Sequence, residues 1–186
     1  MKKKKIVLFL AIALIIVGVV GGTLAWLTDK SDEVKNTFSP SDINITLTES
    51  EDLDLKMIPG HTMAKDPKVT VEADSEANYL FVKLDKSANF DTYMTYAMAD
   101  GWTQGNGTDI PANVYYRIVA SNTSDQEFGV LAGDTVTVKD SVTKDDMNVL
   151  TTDTYPTLTV TAYATQLYKD NTTEFTAAEA WANAQP

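Results

Sequence analysis

The 186-residue chain contains no cysteine and a single histidine, and its 15 basic residues stand against 26 acidic ones. Each shortage removes a class of function. Without cysteine there are no disulfides, no thiol nucleophile and no cysteine-based zinc site. With His61 as the only imidazole, a zinc centre lacks the several nitrogen or sulfur ligands it usually draws on. Neither His-Glu-x-x-His nor Gly-x-Ser-x-Gly occurs, so the zincin motif and the nucleophile elbow are both missing. A formal charge of −11 repels nucleic acid and anionic membranes, which excludes nucleic acid as a partner. The chain is therefore not read as an enzyme.

Hydrophobic runs are also scarce, with one exception. Four lysines, Lys2 to Lys5, precede an apolar stretch from Ile6 to Val20, which is followed by Gly21-Gly22-Thr23-Leu24-Ala25-Trp26. A positive start, an apolar middle and a small-residue exit make the layout of a secretory signal. Four adjacent ammonium groups are costly to bury, so a core helix is the poorer reading. The apolar run is about 15 residues, short of the roughly 20 that span a bilayer. Gly21 to Leu27 would lengthen it, and an uncleaved anchor is the alternative. Small residues at Thr23 (−3) and Ala25 (−1) place the cut before Trp26. Removing the four lysines takes the charge from −11 to about −15. Beyond this segment, membrane contact is not expected. Export without cysteine suits a Gram-positive surface, and no Leu-Pro-x-Thr-Gly sorting signal is present.

The mature chain divides into 26–41, a polar segment with little apolar period, and 42–186, one domain of ordinary size. Ile43 to Leu47 alternates as a half-buried strand with Ile43, Ile45 and Leu47 inward. Ile58-Pro59-Gly60 signals a turn, and Val69 to Val71 a short strand. Tyr79 to Leu84 is apolar on both faces, as a central strand between two layers would be. A further strand is expected around Tyr93 to Met98, then a long turn over 101–111 and an alternating strand over Val114 to Ala120. Glu127 to Leu131 and Thr135 to Lys139 read as a hairpin across Ala132-Gly133-Asp134. Thr143 and Thr176 each open a capping box, giving two short helices. Between them runs the β-branched strand Thr157 to Leu167. The expected fold is all-β: a jelly-roll-like antiparallel sandwich with two short helices, preceded by the signal helix.

Two ligand readings follow from composition. Glu49, Glu51, Asp52 and Asp54, with Asp140, Asp145 and Asp146, form acidic stretches that read as solvated surface; weak Ca²⁺ binding is their functional version. Tyr93, Tyr96 and Trp102 make a candidate carbohydrate platform, with core packing as the plainer role.

The exit Gly21-Gly22-Thr23-Leu24-Ala25-Trp26-Leu27-Thr28-Asp29 resembles that of the TasA/camelysin family, exported Gram-positive proteins processed by the SipW-type signal peptidase. Leu24 and Trp26-Leu27 depart from the usual aromatic and Ala-Phe residues. Asn36-Thr37-Phe38 before the Ile43 strand, Ile58-Pro59-Gly60 before Lys65-Asp66-Pro67-Lys68-Val69, and Asn78-Tyr79-Leu80-Phe81-Val82-Lys83 continue the resemblance through about the first 85 residues. It implies a secreted structural subunit of the cell surface or biofilm matrix. In fibre-forming members the mature N-terminal segment adds as a strand to a neighbour, so Leu27, Val34 and Phe38 become candidate donor-strand contacts. Expected partners are the signal peptidase during export, further copies of the chain, and matrix polysaccharide or another matrix protein. A monomeric surface adhesin is the alternative. The metalloprotease activity described for camelysin-like members is not carried over, because the zinc motif is missing.

Overall fold

A computed structural model describes residues 42–50 and 57–185. The signal exit (Thr23, Ala25, Trp26) and the donor-strand contacts (Leu27, Val34, Phe38) lie outside these residues, as do Glu51, Asp52 and Asp54. No helix among the described residues is long and apolar enough to cross a membrane.

The described chain is all-β, with ten strands in three antiparallel sheets and three short α-helices. Its centre is β4 (Asn78–Lys86), the strand whose two faces are both apolar. β4 pairs with β10 (Leu158–Gln166) on one side and with β7 (Val114–Val119) on the other; β6 (Thr103–Gln104) completes the order β10-β4-β7-β6. A second sheet joins β1 (Ile45–Thr48), β3 (Lys68–Val71) and β8 (Gln126–Gly129) in that order. The third joins β2 (Thr62–Ala64), β9 (Thr135–Val138) and β5 (Met94–Thr95).

Because side chains alternate along a strand, β4 builds two cores at once. Leu80, Val82 and Leu84 point into the larger one, against Val69 and Val71 of β3 and Val136 and Val138 of β9. Tyr79 and Phe81 point the opposite way. There the C-terminal helix α3 (Ala177–Ala184) covers them with Trp181, whose ring lies 5.2 Å from Phe81 and 5.4 Å from Tyr163 between centroids. Gly105 buries itself on this face, where an added Cβ would stand 2.3 Å from the Pro111 carbonyl oxygen.

Both expected capping boxes form. Thr143 caps α2 (Lys144–Asn148) with Asp146, and Thr176 caps α3 with Glu179. The Glu179 carboxylate is held down to about 2, first by the Lys169 ammonium and then by the amide and hydroxyl of Thr176. It is therefore ionised throughout the neutral range, in the first helical turn where the backbone N–H groups favour an anion.

Four local expectations differ from what forms. The strand expected at Tyr93 to Met98 is only Met94–Thr95; before it, Phe90–Tyr93 makes a helical turn, α1. Phe90 and Tyr93 are three residues apart, so one turn puts both rings into the core, which an extended strand would split between faces. That adds a third helix to the two expected. The expected hairpin is not one: β8 pairs with β3, while β9 pairs with β2 and β5. Val130 and Leu131 between them are buried, and Val130 N–H donates to the Pro67 carbonyl at 3.0 Å. Burying those two side chains carries the chain from one sheet into the other. β1 starts at Ile45, not Ile43, and Leu47 is 38% exposed, because β1 is an edge strand with less of the core beneath it.

Candidate assembly edge and apolar groove

The longest strand at a sheet edge is β10, nine residues beginning at Leu158. Its register fixes which backbone groups face outward. Leu84 N–H donates to Asn113, toward β7, and Leu84 stands opposite Val160. In an antiparallel pair the residues exchanging hydrogen bonds alternate with residues whose groups point away. The Leu84–Val160 pair is of the second kind. Conversely, Ser87 N–H donates to Thr157 and Leu167 N–H to Ala77, the bonded pairs that flank the strand. The N–H and C=O groups of Leu158, Val160, Ala162, Ala164 and Gln166 are thus aimed away from β4. Among the described residues no hydrogen bond meets them.

Sequence accounts for the length of this edge. Thr159, Val160, Thr161 and Thr165 are β-branched and alternate around small alanines, a pattern that fits a pleated, half-buried surface. The strand contains no proline and no charge, two common devices for blunting an edge. β1 runs close to it but belongs to another sheet and forms no ladder with it.

At the Leu158 end of β10 a groove of about 920 Å³ opens. It receives Met63 and Val136 from the third sheet, Met94 from β5, Met147 from α2, and Phe90 from α1. The segment Tyr155 to Leu158 closes another side, and Met57 and Ile58 the rim. Four methionines in one groove make a deformable apolar lining. Lys65 is its cation, and it is paired with Glu49 at 2.7 Å. Ile58 and Tyr155, at 55% and 53% exposure, stand at the mouth, and Val149 beside Leu150 is 73% exposed. Turn geometry sets the rim: Gly60 takes φ +72°, and a Cβ there would meet Asp140 Oδ1 at 2.3 Å.

The remaining candidates are placed as follows. Tyr93 is buried in the larger core, and its hydroxyl donates to the Asp146 carbonyl at 3.2 Å. Tyr96 is half-buried, its ring 6.0 Å from Phe90, and burial with the neighbouring Tyr115 pushes its hydroxyl up to about 12. Trp102 donates Nε1–H to the Gly129 carbonyl at 2.8 Å. Its ring lies 5.4 Å from the Arg117 guanidinium, which stacks on Phe128 at 4.1 Å. These three aromatics pack on the same core, and the buried Tyr93 offers no open ring face for a sugar. The Arg117 clamp, invisible in the sequence, ties β7 to β8 across two sheets; burial lowers its guanidinium pKa. His61 is exposed in the turn before β2, and its backbone bonds Ile58 and Val138. Among the described residues no group of three or more His, Cys, Asp or Glu side chains could hold a metal ion.

No protein-family model, curated protein or solved structure matches this chain.

Proposed function

We propose that this protein is an exported structural subunit of the cell surface or biofilm matrix of a Gram-positive bacterium, polymerising by strand addition. One observation carries the proposal: the nine-residue edge of β10, with five residues whose backbone groups point outward and meet no hydrogen bond among the described residues. An extended segment from another copy satisfies such a row, and its alternate side chains supply register. The contact is heterologous and need not close, so it propagates a filament.

The donor in this reading is 26–41, with Leu27, Val34 and Phe38 as its apolar contacts. Cleavage after Ala25 by a SipW-type peptidase frees that segment from the membrane. The three sheets are read as a jelly-roll variant in which β10 is the acceptor position. Matrix polysaccharide is the further partner that the extracellular setting suggests.

Electron microscopy of a chain beginning at Trp26 and of one beginning at Ser39 tests the proposal. Filaments are expected from the first alone. Equal filament yields from both would remove the segment from the mechanism.

A further inference from the structure

The groove and the open edge share a residue. Leu158 opens β10 and also lines the groove, so the groove lies at the Leu158 end of the open edge. We propose that the groove is an anchor pocket: it takes a bulky apolar side chain from one end of the 26–41 segment of a neighbouring copy as that segment adds to β10. The inference rests on the strand-addition reading above.

Three features support this occupant. The first is length. β10 spans about 30 Å over its nine residues, while the sixteen residues of 26–41 extend to about 50 Å, so a segment paired along the whole edge overhangs it. The second is composition. The segment carries Trp26 and Leu27 at one end and Phe38 near the other, with polar residues over most of what lies between. Either end therefore brings an aromatic ring, and methionine side chains adapt to rings and make favourable sulfur–aromatic contacts. The third is the mouth. Three large apolar side chains, Ile58, Tyr155 and Val149, are more than half exposed at or beside it. A cluster of that kind marks an interaction surface more often than scattered single residues do.

The chain has no cysteine, which gives cross-linking a clean background. One batch of the chain starting at Trp26 carries Thr28→Cys or Thr37→Cys. The second carries Ile58→Cys at the groove mouth, or Tyr168→Cys, which is exposed just beyond the far end of β10. Batches are mixed, allowed to assemble and oxidised mildly. The expected result is an inter-chain disulfide to Ile58→Cys from one of the two donor positions, at least five-fold above the other, with Tyr168→Cys showing the opposite preference. Which donor position wins gives the polarity of the added strand. Filaments in which neither donor position reaches Ile58→Cys would overturn the anchor pocket and leave strand addition standing. Absence of both filaments and cross-links would overturn strand addition itself. A groove that takes up a fatty acid while filaments grow without the Ile58→Cys cross-link is a small-molecule site, and that result also overturns the proposal.

Discussion

Ala162→Pro in the chain starting at Trp26 is expected to abolish filament growth while leaving the subunit folded. The Ala162 N–H points away from β4, so losing it breaks no hydrogen bond among the described residues. The proline ring occupies the space where an added strand would lie, and proline is tolerated on edge strands for this reason. Thr161→Pro is the matched contrast. Thr161 stands opposite Lys83 in the bonded set, so the ring removes a ladder bond and forces β10 off β4. Circular dichroism and sedimentation velocity should find Ala162→Pro a folded monomer and Thr161→Pro substantially unfolded. Ala164→Pro, on the same outward-facing set, repeats the test at a second position. Filaments from both Ala162→Pro and Ala164→Pro would exclude β10 as the acceptor edge.

The second large effect concerns the smaller core. Phe81 is fully buried between Tyr79, Tyr116 and Trp181, with ring centroids at 6.0, 6.0 and 5.2 Å. Phe81→Ala leaves a void beneath α3 and is expected to cost about 3–5 kcal/mol, the usual range for a buried aromatic. Urea unfolding should show the midpoint falling with little change in slope. Ile118→Ala on the neighbouring strand removes a side chain that is 53% exposed and should cost under about 1 kcal/mol. Similar losses for the two would mean that the helix is not seated on the sheet as described.

These two cases show where sequence carries information and where it does not. The double-sided strand at Tyr79 to Leu84 and the capping boxes at Thr143 and Thr176 are legible because each is a local pattern with a local physical cause. The pairing of 126–129 and 135–138 is not. A hairpin signal reports a turn and two extended runs, whereas the partners are decided by the burial of Val130 and Leu131. Phe90 and Tyr93 mislead for a similar reason: aromatic residues favour strands until a three-residue spacing lets one helical turn bury both. The edge position of β10 also leaves no mark, since β-branched alternation looks alike in central and edge strands. The groove is hidden more deeply, because its lining comes from segments as far apart in the chain as Met57 and Leu158.

The resemblance in the first 85 residues implies a donor segment, and the proposed reading seats it on the outward-facing backbone groups of β10. Without an outward row of backbone groups, the polar segment 26–41 would be only a spacer. In the proposed reading, cleavage before Trp26 and filament growth are one sequence of events, since an end held in the membrane is not free to reach a neighbour.

Hydrogen exchange, read residue by residue along β10 in monomer and filament, tests this most directly. Thr159, Thr161, Tyr163 and Thr165 donate toward β4 and should be protected in both states. Val160, Ala162, Ala164 and Gln166 should exchange freely in the monomer and become protected in the filament. A filament in which those four amides exchange as fast as in the monomer would contradict strand addition at β10.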